Sequence, residues 1–181
     1  MKTFQDKIVF YKGSRGKGKT LSMVKDGYEY HKNGWKVYRN FFCLFGEYIT
    51  NEEILNLDKT TTLKNCVIMI DEIQTLLDSR RFMGNKNVNF SHFIQQLRKR
   101  NITLLATAQF SNNVDLRFRQ HIDITAYPDH IEKYPVCEIL YIDVTSIEDD
   151  ILGEIQEPKI KRIVYNPKPI YKLYNTREMI K

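Results

Sequence analysis

Short apolar runs alternate with polar segments along most of the chain, and their spacing predicts the elements. Ile8 to Tyr11 is an apolar strand that runs into a glycine-rich loop. The stretch from about Lys19 to Lys32 reads as a helix that stops at Asn33-Gly34, a helix-ending pair. Trp35 to Arg39 predicts a second strand, and Thr50-Asn51-Glu52-Glu53 has the spacing of a capping box that opens a short helix. Val67 to Ile70 is wholly apolar and ends at Asp71-Glu72. From Asn89 to Arg100, the residues Phe90, Phe93, Ile94 and Leu97 recur at i, i+3, i+4 and i+7, which makes one apolar helical face. Ile102 to Ala108 and Ile122 to Tyr127 predict two more buried strands. Cys137 to Val144 and Lys161 to Tyr165 then read as strands with no helix between them.

This order predicts an α/β fold: a mainly parallel sheet flanked by helices, with an antiparallel C-terminal β addition at one edge. We expect one domain over residues 1–181, with its core in about 1–127 and a β extension and basic tail in about 128–181. In such sheets ligands bind at the carboxyl ends of the strands. The polar residues that close each apolar run are therefore the place to look for chemistry.

Gly13-Ser14-Arg15-Gly16-Lys17-Gly18-Lys19-Thr20 matches GxxxxGK[ST] at every fixed position and lies between a predicted strand and a predicted helix. Glycines let backbone N–H groups curl around a phosphate, and the helix N-terminus adds partial positive charge. Leu21 follows and extends the cradle. Lys19 is expected to bridge the β- and γ-phosphates of ATP, and the Thr20 hydroxyl to ligate Mg²⁺. About fifty residues further on, Asp71 and Glu72 emerge from an apolar strand. Asp71 suits the Mg²⁺ shell, and Glu72 suits the orientation and deprotonation of an attacking water. Gln109 closes the strand Ile102 to Ala108, where its amide can sense a γ-phosphate or hold that water. Arg80, Arg81, Arg98, Arg100, Arg117 and Arg119 all follow Asp71, and any could meet transition-state charge from a neighbouring subunit.

Composition narrows the setting. At 181 residues, 42% hydrophobic and 28% charged, the chain is globular. Its apolar runs, such as Cys66 to Ile70, are too short to cross a bilayer. With no room for a signal peptide before the first strand, a cytoplasmic protein is expected. Cys43, Cys66 and Cys137 are scattered and form no CxxC pair, so buried thiols are expected rather than zinc or disulfides. The four histidines make no ligand pattern. The net charge of +6 is unevenly placed. Residues 143–157 hold six acids and no Lys or Arg, whereas 159–181 hold seven basic residues against Glu178 alone. Tyr165, Tyr171 and Tyr174 interleave with those cations. Such a stretch suits a polyanion, and equally suits a solvated tail or one packed on a neighbouring subunit.

With these residues in view, the chain resembles the FtsK–HerA superfamily of P-loop ATPases, most of all its viral genome-packaging and zonula-occludens-toxin-like branches. The likeness is carried by Gly13 to Ser22, by Gly34-Trp35-Lys36-Val37-Tyr38-Arg39-Asn40 and by Ile70-Asp71-Glu72-Ile73-Gln74. It continues through Leu97-Arg98-Lys99-Arg100-Asn101-Ile102 into Thr107-Ala108-Gln109, and covers about residues 7 to 127. The resemblance implies a RecA-like core in a homo-oligomeric ring, usually a hexamer, that moves DNA by ATP hydrolysis, with capsid or other viral proteins as further partners. It implies that Lys19 and Thr20 are the Walker A pair, Asp71 and Glu72 the Walker B pair, and Gln109 the strand-end sensor. Arg98 matches the arginine-finger position, with Arg100 close by. Many relatives carry Arg-Pro after the glutamine; Phe110-Ser111 stand here, and the part beyond about residue 128 has no counterpart in the likeness. Two other readings stay open. One is a nucleotide-gated assembly switch with slow hydrolysis. The other is a nucleoside kinase of the thymidine-kinase type, against which the missing zinc-ribbon cysteines weigh.

Overall fold

A computed structural model describes residues 4–55, 63–76, 94–109, 114–130, 135–145 and 157–175. Eight strands form one sheet: β1 (Ile8–Lys12), β2 (Lys36–Arg39), β3 (Glu47–Tyr48), β4 (Cys66–Ile70), β5 (Ile102–Ala108), β6 (Ile124–His130), β7 (Cys137–Asp143) and β8 (Ile160–Tyr165). Their spatial order is β3-β2-β4-β5-β1-β6-β7-β8. Every pair from β3 to β6 is parallel, while β6–β7 and β7–β8 are antiparallel. The antiparallel addition is where the sequence places it.

Apolar residues build the strands and their alternation divides the core. Ile8 and Phe10 face one side with Ile68, Ile70, Leu104, Ala106 and Phe118. Val9 and Tyr11 face the other, with Val67, Met69 and Leu105, under α1 (Lys19–Lys32). Both β4 and β5 are buried along their whole length, which is why they carry no polar alternation in the sequence. Gly27 lets α1 lie this close: a Cβ there would fall 2.2 Å from Met69 Sδ. The short helices α2 (Asn51–Leu55), α3 (Leu116–Arg119) and α4 (Lys168–Tyr171) are also described, with a helical segment at 94–96 and 3₁₀ turns at Ile73–Thr75 and Arg98–Arg100. The capping box is made as read: Glu53 N donates to Thr50 Oγ1 at 3.1 Å, and Thr50 N donates to the Glu53 carboxylate at 2.8 Å.

Some boundaries differ from those expected. β6 begins two residues later than Ile122 because Asp123 turns aside to take the Ile8 N–H at 2.8 Å. It runs on to His130 because β7 pairs with it that far. Pro128 is tolerated there because the pairing with β1 has ended at Ala126. The helix expected over Asn89 to Arg100 is described only from 94 onward; Ile94 and Leu97 are buried in the core, and Arg98–Arg100 form a 3₁₀ turn. Phe90, Phe93, Arg80, Arg81, His92, Phe110 and Ser111 lie outside the described residues.

The basic stretch after residue 158 is folded onto its own chain through residue 175. It forms β8 and α4, and Ile170 and Tyr174 are buried in the α1-side core. Tyr174 also bridges to Cys43 as an antiparallel pair. Arg162 is held by both oxygens of Glu138, and Lys161 lies over the Phe4 ring. Two of the three interleaved tyrosines therefore turn inward. The three cysteines are free and buried, and burial raises the pKa of each, that of Cys66 to about 12. Such thiols are unreactive.

Candidate active site

Strand β1 ends at Lys12, and Gly13 to Gly18 wrap the loop that starts α1. Ser14, Arg15, Gly16 and Lys17 are exposed there, and Leu21 is buried behind them. Gly18 stands at φ +81° as the cap of α1, and a Cβ on it would meet His130 Cβ at 2.9 Å. Only glycine fits that position. No acid occupies the first turn of α1, so the positive end of the helix is left for an outside anion. Lys19 Nζ donates to the Ser14 carbonyl at 3.0 Å. Burial lowers the Lys19 pKa, and the nearby Asp71 and Glu72 carboxylates oppose that change.

The end of β4 faces this loop. Thr20 Oγ1 donates to Asp71 Oδ1 at 3.0 Å, which joins the start of α1 to the end of β4. Thr107 Oγ1 donates to the same oxygen at 2.6 Å and accepts the Glu72 N–H at 2.9 Å. Thr107 thus holds both acids from the adjacent strand. Asn40, at the end of β2, takes the Asp71 N–H at 2.8 Å and donates to the Asp71 carbonyl at 3.3 Å. Burial pushes the Asp71 carboxyl above its ordinary range, against the two hydroxyl hydrogen bonds that favour its charge. Glu72 adopts a left-handed backbone at φ 52°, ψ 55°. A non-glycine residue rarely stands there, and such strain concentrates at functional sites.

Gln109 follows β5, which lies between β4 and β1. Lys19, Thr20, Asp71, Glu72 and Gln109 therefore share one end of the sheet. Arg98 does not. It precedes β5 at the opposite end, where it donates to Asp123 Oδ1 at 2.7 Å beside Lys7. Any role for Arg98 at a phosphate is therefore a role at another subunit's loop. The sequence reading gave no role to Asn40 or Thr107. Both close strands next to β4, and only the strand order reveals their partnership with Asp71.

An oxygen-only donor pair, Thr20 and Asp71, suits a hard cation such as Mg²⁺. Among the described residues no group of three His, Cys, Asp or Glu side chains could hold a metal without further ligands.

No known protein family and no curated protein matches the chain. Solved structures do. The N-terminal domain of zonular occludens toxin from Neisseria meningitidis matches with a TM-score of 0.64 at 18% identity, over 93% of this chain and 98% of that one. The genome packaging NTPase of Sulfolobus turreted icosahedral virus 2, in complex with ATPγS, matches with a TM-score of 0.59 at 12% identity, over 86% and 96%. A DnaB-like replicative helicase matches with a TM-score of 0.53 at 11% identity, over 88% of this chain and 54% of its own. The first match reaches through the C-terminal part, for which the sequence resemblance offered no counterpart. At these identities the likeness is one of fold. The chain has the RecA-like P-loop fold of the zonular occludens toxin N-terminal domain and of viral packaging NTPases.

Proposed function

We propose that this chain is an ATP-driven DNA translocase of the genome-packaging kind, hydrolysing ATP between the subunits of a ring, a hexamer by the family resemblance. The observation that carries the reading is the Thr20–Asp71 hydrogen bond, which closes the P-loop onto a strand end that also bears Glu72. The packaging NTPase of similar fold was solved with an ATP analogue, which supports ATP as the ligand.

The phosphates lie on the backbone of Gly13 to Leu21. Lys19 leaves the Ser14 carbonyl for the β- and γ-phosphate oxygens, and its ammonium balances their charge. Thr20 and Asp71 would hold Mg²⁺, and the ion would supply Lewis-acid polarisation of the phosphates. Asn40 and Thr107 keep Asp71 in place. The Glu72 carboxylate takes a proton from water as the water oxygen attacks the γ-phosphorus, and the bond to the β-phosphate oxygen breaks to release ADP. Gln109 holds that water through its amide. Arg98 reaches the transferring phosphoryl group from the neighbouring subunit, where its guanidinium offsets developing charge. Loss of the γ-phosphate then loosens that contact and moves the subunit against DNA, in the cytoplasm of a host cell.

The test compares the ATPase rate of the purified chain with and without double-stranded DNA, beside a mixture of Arg98→Ala and Glu72→Gln subunits. A motor is stimulated by DNA, and the mixture regains activity at interfaces that combine an intact Glu72 with an intact Arg98. Slow turnover indifferent to DNA would favour a nucleotide-gated switch. Absence of rescue in a mixture that assembles would remove Arg98 from the site.

A further inference from the structure

Asp71 and Glu72 follow β4 and Gln109 follows β5, and both strands lie on one side of the P-loop strand β1. A triphosphate whose γ-phosphate faces them must leave the loop on the other side of β1, where β6 pairs with it. The last residues of β6 meet the P-loop there. Lys17 Nζ is ion-paired with Asp129 Oδ1 at 2.8 Å, and His130 Cβ packs against Gly18 so closely that no side chain fits between them.

His130 does not stand alone. Its Nδ1 is hydrogen-bonded to the Val136 carbonyl at 3.4 Å, and its Nε2 to the Tyr171 hydroxyl of α4 at 2.5 Å. The two ring centroids are 5.9 Å apart at 55°. Tyr171 is 41% exposed. Its chain segment is anchored by the buried Ile170 and Tyr174 and by the Leu173 carbonyl, which accepts the Leu44 N–H at 2.7 Å. Two aromatic rings thus stand beside the phosphate loop, reached from the β6 side of β1.

Building on the reading of this loop as an ATP site, we propose that His130 and Tyr171 form its nucleoside subsite and receive the purine base on their ring faces. The core strands supply the phosphate half of the site, and the C-terminal extension supplies the base half. This explains a constraint the hydrolytic machinery does not need, the tight seat of His130 against Gly18. It also gives the folded stretch 167–174 a role beside the ligand. Stacking of a base on an aromatic ring is tolerant of the base's hydrogen-bonding edge, so the subsite favours the large π-surface of purines over pyrimidines.

Calorimetric titration with Mg²⁺ present separates the two halves, with ATP as the full ligand and inorganic tripolyphosphate as the ligand without a base. Tyr171→Ala and His130→Ala are each expected to weaken ATP binding on the order of ten-fold and to leave tripolyphosphate unchanged. Tyr171→Phe keeps the ring and is expected to retain most of the ATP affinity. Unchanged ATP affinity in both alanine variants would overturn the subsite, as would equal loss of ATP and tripolyphosphate. Lys19→Ala tests the underlying phosphate site separately: wild-type affinity for both ligands in that variant would overturn the ATP reading itself.

Discussion

Helix α1 reaches two shielded carboxylates, and the regions around them are built in opposite ways. On the flank facing β7 and β8, Asp26 is 2% exposed and fully engaged. Its Oδ2 accepts the Tyr11 and Tyr141 hydroxyls at 2.5 and 2.6 Å, and its Oδ1 takes the Lys25 ammonium at 2.8 Å. Both tyrosine pKa values are raised, first by burial and then by the Asp26 charge. Ser22 and Tyr165 extend the seam to β8 at 3.2 Å. At the N-terminal end of the same helix, Asp71 Oδ1 is held by the hydroxyls of Thr20 and Thr107, while Lys19 bonds to the Ser14 carbonyl. One carboxylate has its ammonium already in place. The other is bonded only by neutral hydroxyls. A single helix thus anchors the fold along its flank and carries the candidate site at its tip.

If this contrast holds, variants at the tip should lose chemistry and variants on the flank should lose stability. Lys19→Ala should lower kcat/KM for ATP on the order of a thousand-fold, since it removes a cation from the developing phosphate charge, while its melting temperature stays near wild type. Asp26→Ala removes the buried acceptor shared by Tyr11, Tyr141 and Lys25 and should cost about 3–5 kcal/mol of stability in denaturant titration. For a chain of this size the melting temperature should fall on the order of 10 °C. Asp71→Asn should lose hydrolysis by about a hundred-fold or more. Its empty form should melt no lower than wild type, because burial disfavours the Asp71 charge when no cation is bound. An Asp71→Asn protein as unstable as Asp26→Ala would erase the distinction. The smallest effect belongs to the far end of the sheet. Arg98 is largely exposed, so removing its ion pair with Asp123 should cost under about 1 kcal/mol in the same denaturant titration.

Much of the tip was legible in the sequence because its chemistry is local. Gly13 to Thr20 is a contiguous motif, and the polar residues after the apolar run β4 and the buried strand β5 mark the site. α1 and β5 match their expected spans residue for residue. The flank was not legible. Asp26 is joined to Tyr141 across 115 positions, and no local pattern links a helical Asp to a tyrosine on an edge hairpin. Asn40 and Thr107 were hidden for the same reason: each is an ordinary strand-end residue until the order β2-β4-β5 sets it beside Asp71. The two-residue strand β3 is too short to show a period. The composition of the basic stretch after residue 158 did not reveal its packing: through residue 175 its cations are exposed while Tyr174 and Ile170, spaced four apart, turn into the core.

The most direct test of the central claim, that the tip of α1 and the end of β4 together hydrolyse ATP, is a paired measurement on wild type and Glu72→Gln. Equilibrium binding of ATP and steady-state release of phosphate are followed in the same preparation. Retained binding is expected, with turnover lowered by about 10²–10⁴-fold, the range for a general base. Wild-type turnover in the Glu72→Gln protein would contradict the account.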